Sequence, residues 1–115
     1  MANYRAQRLA QEIQREVTNI LLREVRDPRV QEVTITGVDV TGDLQQATIY
    51  YSLLSDKASD NQKAEQGLKK ATGLIRKLLG SRLQVYKTPE IMFAKDESLA
   101  YGDHIDRLLN DMYKN

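Results

Sequence analysis

The sequence predicts an α+β fold in which helices pack on a three-stranded sheet, and three observations carry that reading. Apolar residues recur at helical spacing near the N-terminus and again from residue 64 to 79. Between these stretches they alternate with polar residues, the period of a strand with one buried face. A further apolar run, entered at Pro89, follows the second helical stretch.

Each element has its own signal. "RLAQEIQREVTNILLREV" places Leu9, Ile13, Val17, Ile20, Leu21 and Val25 on one side, so residues 4 to 26 read as an amphipathic helix ended by Asp27-Pro28. In "VTITGVDV", Val33 and Ile35 share a face, then Val38 and Val40 resume out of phase after Gly37. That slip predicts a β-bulge at the glycine and implies that Gly37→Val lowers the unfolding midpoint. "TGDLQQ" supplies a turn, and "ATIYYSLL" sets Ala47, Ile49, Tyr51 and Leu53 against Thr48, Tyr50 and Ser52, so the two strands form an antiparallel hairpin. Ser59 and Gln62 have the spacing of a capping box, which starts a second helix near residue 60. Its apolar stripe, Ala64, Leu68, Ala71, Ile75, Leu78 and Leu79, stays in phase across Gly73. "YKTPEIMFAKD" gives a third strand with Pro89 at its entrance, where a missing N–H does least harm. "DHIDRLLNDMY" closes the chain as a short helix with Ile105, Leu108, Leu109 and Met112 inward.

With 115 residues, 41% hydrophobic and 29% charged, the chain reads as one domain over residues 1–115 with a single modest core. It has no cysteine, which excludes disulfides, thiolate metal sites and cysteine nucleophiles. The charged opening "MANYRAQRLAQEIQREV" has no signal-peptide core, and no segment approaches a membrane span, so a soluble cytoplasmic protein is expected. Net charge is only +1, but residues 61 to 89 hold seven basic side chains and one acidic. Such segregation creates a local positive field that the net count hides.

That basic segment, "GLKKATGLIRKLLGSRL", carries glycines at 67, 73 and 80 inside a helical pattern. Each costs about 0.5 to 1 kcal/mol relative to alanine, so a local need must offset it. Lys69 and Lys70 lie four and three residues before Gly73, and Arg76 and Lys77 three and four after it, which surrounds the glycine with cations on one helix face. A bare line continuing to Gly80 lets a nucleic-acid backbone approach without meeting a Cβ while the cations neutralise phosphates. A bend at Gly73 would add an anion site at the N-terminus of the second half. The competing reading is close helix packing at the glycines and a solvated lysine face. Lys70, Arg76 and Lys77 fall opposite the apolar stripe, so their replacement by alanine is expected to remove charge and spare stability.

A helix pair joined at Ala71-Thr72-Gly73 after two strands, with one strand following, resembles the variant type II K-homology (KH) domain of the bacterial ribosome-binding factor A family, in which an Ala-x-Gly kink stands in place of Gly-x-x-Gly. "RLAQEIQREVTNIL", "DPRVQEVTITGVDVTGDLQQATIYYSLL", "GLKKATGLIRKLLGSRL" and "PEIMFAKDESLAYGDHIDRLL" look like family signatures in the family's order, over essentially the whole chain. The resemblance implies a type II KH-like arrangement: helix, two strands, two helices meeting at a kink, a strand and a short C-terminal helix. It implies an assembly factor that binds the small (30S) ribosomal subunit and its 16S rRNA, aids late maturation and rRNA processing, and is needed most in the cold. "LQVYKTPE" is less basic than in many members, so no contact is expected there, and the sequence ends at Asn115 without the basic tail of longer relatives.

The candidate RNA-binding residues are Lys69, Lys70, Ala71, Thr72, Gly73, Arg76, Lys77 and Arg82. Arg8, Arg15 and Arg26, along one edge of the first helix, are secondary candidates, although Glu12 and Glu16 can pair with neighbouring arginines. Tyr51 and Phe93 fall on buried faces, whereas alternation leaves Tyr50 and Tyr86 undecided between base stacking and packing. His104, the single histidine, sits with Asp103 and Asp106 at a helix start, where an aspartate cap explains the cluster. With no nucleotide-binding loop, nucleophile elbow or metal motif, the sequence predicts a monomeric binding module that is no enzyme and takes no cofactor, metal or small-molecule substrate. The alternative is a protein-interaction domain with no direct RNA contact, its basic helix merely solvated.

Overall fold

The computed structural model describes residues 4–55 and 57–97. The closing helix expected over "DHIDRLLNDMY", and His104 with it, lie outside the described residues. Helix α1 spans Tyr4–Arg23 and buries Ala6, Leu9, Ile13, Val17, Ile20 and Leu21. It ends three residues before the expected boundary because the N–H groups of Glu24 and Val25 both return to the Ile20 carbonyl, at 2.8 and 3.2 Å. Val25 is still buried beyond the helix end. Asp27 then caps a 3-10 turn over Pro28–Val30, accepting from the Arg29 N–H at 2.9 Å.

Strands β1 (Thr34–Val40) and β2 (Gln46–Ser52) form the antiparallel hairpin, and the register shifts between Ile35 and Gly37. Thr36 is the extra residue, so Ile35, Val38 and Val40 all reach the face on which they pair with Tyr51, Ile49 and Ala47. The bulge is where the phase slip put it, but it does not depend on the glycine. Gly37 lacks a positive φ, and a Cβ built there meets no atom within 4 Å. In the connecting turn Leu44 takes the positive φ instead, at 62°, a conformation costing an L residue about 1 to 2 kcal/mol. Its side chain packs against the core in return.

Helix α2 runs from Ala58 to Arg82 as one helical element. This corrects two expectations. There is no capping box, because Ala58 is already helical and Ser59 lies inside the first turn; Lys57 occupies the N-cap position without a side-chain bond. The entry is held by Asn61, whose Nδ2 donates to the carbonyls of Lys57 and Ser55 at 2.9 and 3.2 Å, and by the Ser55 hydroxyl, which donates to Asp60 at 2.6 Å. Nor does the chain divide into two helices at Gly73: the apolar stripe runs through the glycine, and a helix with one continuous buried face gains nothing by breaking there.

Strand β3 (Glu90–Lys95) pairs parallel with β2, completing a sheet of order β1-β2-β3. Ile91 and Phe93 join Ala47 and Ile49 on the face toward the helices. Ile13, Val17 and Ile20 from α1, Ile49 from β2, and Leu68, Ile75 and Leu79 from α2 are fully enclosed between the layers. Full burial of such side chains contributes about 1.5 to 3 kcal/mol each. No described polar or charged residue is buried, so the core places no electrostatic demand on the fold and leaves every described charge at the surface.

Candidate nucleic-acid interface

The three interior glycines of α2 prove to have three different settings. A Cβ at Gly67 would stand 2.8 Å from Val30 Cγ1, 3.2 Å from Arg29 Cβ and 3.4 Å from Asp27 Oδ2, so this glycine admits the 3-10 turn against the helix. The turn is stiff: Arg29 grips the Asp27 carboxylate through Nε at 3.0 and 3.1 Å and a terminal nitrogen at 2.7 Å. The Arg29 side-chain bonds, with its backbone N–H, hold the Asp27 carboxyl at about 2, well below the ordinary carboxylate value. At Gly80 a Cβ would meet Thr88 Oγ1 at 2.9 Å, so that glycine lets the α2–β3 loop cross the helix. At Gly73 a Cβ meets nothing within 4 Å, and the residue is exposed.

Gly73, Arg76, Lys77, Gly80 and Thr88 together line an open groove of about 390 Å³. The two glycines give it a smooth floor, Lys77 stands exposed on it, and the loop residue Thr88 forms the far wall. The expected ring of cations is only partly assembled around it. Lys70 is exposed and lies close enough to Asp27 to help lower its pKa. Lys69 instead lines a separate groove against β3 with Glu65, Thr72, Met92 and Phe93. Ala71 is half buried against the core, and the Thr72 hydroxyl donates to the Leu68 carbonyl at 2.8 Å, within the helix.

Arg76 and Arg82 are committed inside the molecule. Arg76 Nε donates to the Pro89 carbonyl at 3.1 Å and a terminal nitrogen to the Thr88 carbonyl at 2.9 Å, with Glu90 at 3.3 Å. Its guanidinium therefore pins the loop that walls the groove, and the expectation that alanine at Arg76 would spare stability does not hold. Arg82 reaches back to α1, 3.6 Å from Glu16 and 3.7 Å from Glu24, and so ties the two helices together. Among the secondary candidates, Arg8 lies over the Tyr4 ring at 5.8 Å, Arg15 is 4.0 Å from Glu16, and Arg26 is exposed.

Tyr51 is buried, and Tyr50 stands on the opposite face of the sheet. The nearby charge of Asp39 raises the Tyr50 pKa, with burial and Asp96 adding to it, a negative setting that repels phosphate. Tyr86 projects wholly into solvent. Sequence reasoning did not find Thr88; its one local signal is its place before Pro89, which forces an extended backbone there. Among the described residues no cluster of three or more His, Cys, Asp or Glu is placed to hold a metal ion, and no helix is long and apolar enough to cross a membrane.

The chain matches the family model for Ribosome-binding factor A over residues 5–109. It is 70% identical over 111 residues to the ribosome-binding factor A of Limosilactobacillus reuteri, covering 96% of this chain and 93% of that one. The solution NMR structure of a Thermotoga maritima protein assigned as a ribosome binding factor A superposes with a TM-score of 0.71 at 31% identity, covering 84% of this chain and 91% of that one. A homology model of the Thermus thermophilus ribosome binding factor A, fitted into the cryo-EM map of its complex with the 30S subunit, shares the fold at 16% identity, with a TM-score of 0.59 and coverage of 84% and 97%. The fold with its KH-like order of elements, the full-length match to the family model and the high identity to its members agree: this chain belongs to the ribosome-binding factor A family.

Proposed function

We infer that this protein is an assembly factor that binds the small (30S) ribosomal subunit through its 16S rRNA, with the groove over Gly73 and Gly80 as the contact surface. It acts as one domain, as a monomer and in the cytoplasm, by binding alone. Differential affinity for one rRNA state is enough to bias maturation and rRNA processing, so no catalysis, cofactor or small-molecule substrate is needed. The demand is greatest in the cold, when wrong rRNA conformers are slowest to resolve. The names of the relatives and the 30S complex of the Thermus thermophilus protein support the partner.

One observation carries the choice of surface. Gly67 and Gly80 each have an intramolecular reason to lack a side chain, whereas Gly73 has none among the described residues. The helical cost of Gly73, about 0.5 to 1 kcal/mol, is then offset by something outside the chain that must approach the backbone closely. Lys77 beside it and Lys70 one turn earlier supply the charge that a phosphate backbone requires.

Co-sedimentation with isolated small subunits at two salt concentrations tests this reading. Replacing Lys70 and Lys77 by alanine, with Arg76 kept, is expected to weaken binding and lower the slope of log affinity against log salt by about 0.7 to 0.9 per lost contact. Gly73→Glu is expected to abolish binding in a folded protein. Unchanged binding by both variants, with little salt dependence, would assign the contact to a protein interface elsewhere on the molecule.

A further inference from the structure

The α2–β3 loop separates two grooves. Thr88 walls the groove over Gly73 and Gly80, while Val85, Tyr86 and Lys87 line a second one of about 450 Å³ whose opposite side includes Arg5 from the first turn of α1. The loop alternates inward and outward. Leu83 and Pro89 are buried and Val85 is packed against the core, which leaves Tyr86 and Lys87 outside. Both loop ends are fixed, at Leu83 by its N–H to the Leu79 carbonyl at 2.8 Å and at Thr88 and Pro89 by Arg76. Tyr86 is thus a wholly exposed aromatic ring on an anchored loop, between two cations and next to the proposed RNA groove.

An isolated exposed apolar side chain ordinarily requires no explanation. This one differs in what surrounds it. The Asp43 carboxylate, also on the second groove, is already engaged by the Thr41 hydroxyl at 2.6 Å and the Gln45 N–H at 3.1 Å. Arg5 and Lys87 remain exposed there. An exposed ring beside cations is the arrangement that holds single-stranded nucleic acid, because every base has a face to stack and every nucleotide a phosphate to neutralise. Duplex RNA offers the phosphates but keeps its base faces stacked internally.

Resting on the function proposed above, we propose that Tyr86 is a base-stacking platform for single-stranded RNA, with Lys87 and Arg5 holding the adjoining phosphates, so that a strand leaving the glycine-floored groove continues across the loop. The site thereby takes an unpaired segment and excludes a continuous duplex. It lies in "LQVYKTPE", where sequence comparison with the family gave no expectation of a contact.

The chain has no tryptophan, so Tyr86→Trp introduces a unique fluorophore at the platform. Its emission is expected to be quenched by a short single-stranded oligoadenylate and not by a blunt RNA duplex of equal length. Tyr86→Ala is expected to weaken single-strand binding about fivefold or more, while Tyr86→Phe retains it and thermal unfolding is unchanged in both. Equal quenching by duplex would reduce the site to phosphate attraction and overturn the proposal. Full single-strand affinity in Tyr86→Ala, together with loss in Gly73→Glu, would also overturn it while leaving the glycine groove as the RNA site. Absence of any RNA binding by the unaltered protein would remove both.

Discussion

Exchanging glycine for alanine at two positions of the same helix is expected to change stability in opposite directions. At Gly73 the added methyl meets no atom within 4 Å, so the helical gain of about 0.5 to 1 kcal/mol is kept in full. For a domain of this size that raises Tm by about 2 to 6 °C. At Gly67 the same methyl falls 2.8 Å from Val30 Cγ1, a stiff β-branched side chain that is itself buried, and 3.2 Å from Arg29 Cβ. Overpacking of this kind costs about 1 to 3 kcal/mol, which exceeds the helical gain and leaves a net loss of about 1 to 2 kcal/mol. Urea unfolding of the two variants followed by circular dichroism gives both free energies, and subunit co-sedimentation of Gly73→Ala gives the binding. The stabilised Gly73→Ala should bind less well, because its methyl occupies the line along which RNA approaches. A destabilised Gly73→Ala would refute the continuous helix and restore a break at that residue. A stabilised variant with unaltered binding would refute the assignment of the bare surface to RNA.

Three further outcomes follow from the same contacts. Arg76→Ala should lose about 1 to 2 kcal/mol in urea unfolding by freeing the α2–β3 loop, and Arg76→Lys should not restore it, since a single ammonium cannot reproduce the fork onto two carbonyls. Asp27 has its carboxyl pKa lowered in the folded chain, so it contributes stability that is present above the unfolded value near 3.8 and is lost as pH falls toward about 2. Asp27→Asn should flatten that part of the urea midpoint against pH curve. Gly37→Val should leave the melting temperature unchanged or slightly raised, because the position is open, lacks a positive φ and lies in a strand that favours β-branched residues. A clear fall would return the bulge to the glycine.

Much of this fold was legible because it rests on periodicity. The stripes of α1 and α2, the alternation of β2 and the phase slip before Val38 are properties of side-chain direction, and each reached the expected face. Failures of the reading came where a single residue chooses among partners. Ser59 and Gln62 have the spacing of a cap, yet a start one residue earlier places Ser59 inside the helix. The cations around Gly73 are equivalent in a helical projection, and only the tertiary contacts distinguish them: Arg76 faces the backbone carbonyls of the β3 entrance, Lys69 a neighbouring groove, and Lys77 solvent. Arg82 was assigned to the ligand by its charge, but its Glu16 and Glu24 partners belong to a helix far away in sequence. Spacing identified the glycine face; it could not tell which cations on that face the chain itself had already used.

The parallel pairing of β2 with β3 also sets an order of events in time. Gln46 pairs with Glu90 across the full length of α2, so this pairing closes a long loop, whereas the β1–β2 hairpin and each helix need only local contacts. Strand β3 is therefore expected to dock last, onto a hairpin and a helix already in place. The loop carrying Tyr86 and Thr88 acquires its shape in that final step, when the Thr88 and Pro89 carbonyls come within reach of Arg76. Until then the chain can hold a formed core and a formed basic helix with no wall beside Gly73, and the last strand to fold is the one that completes the groove.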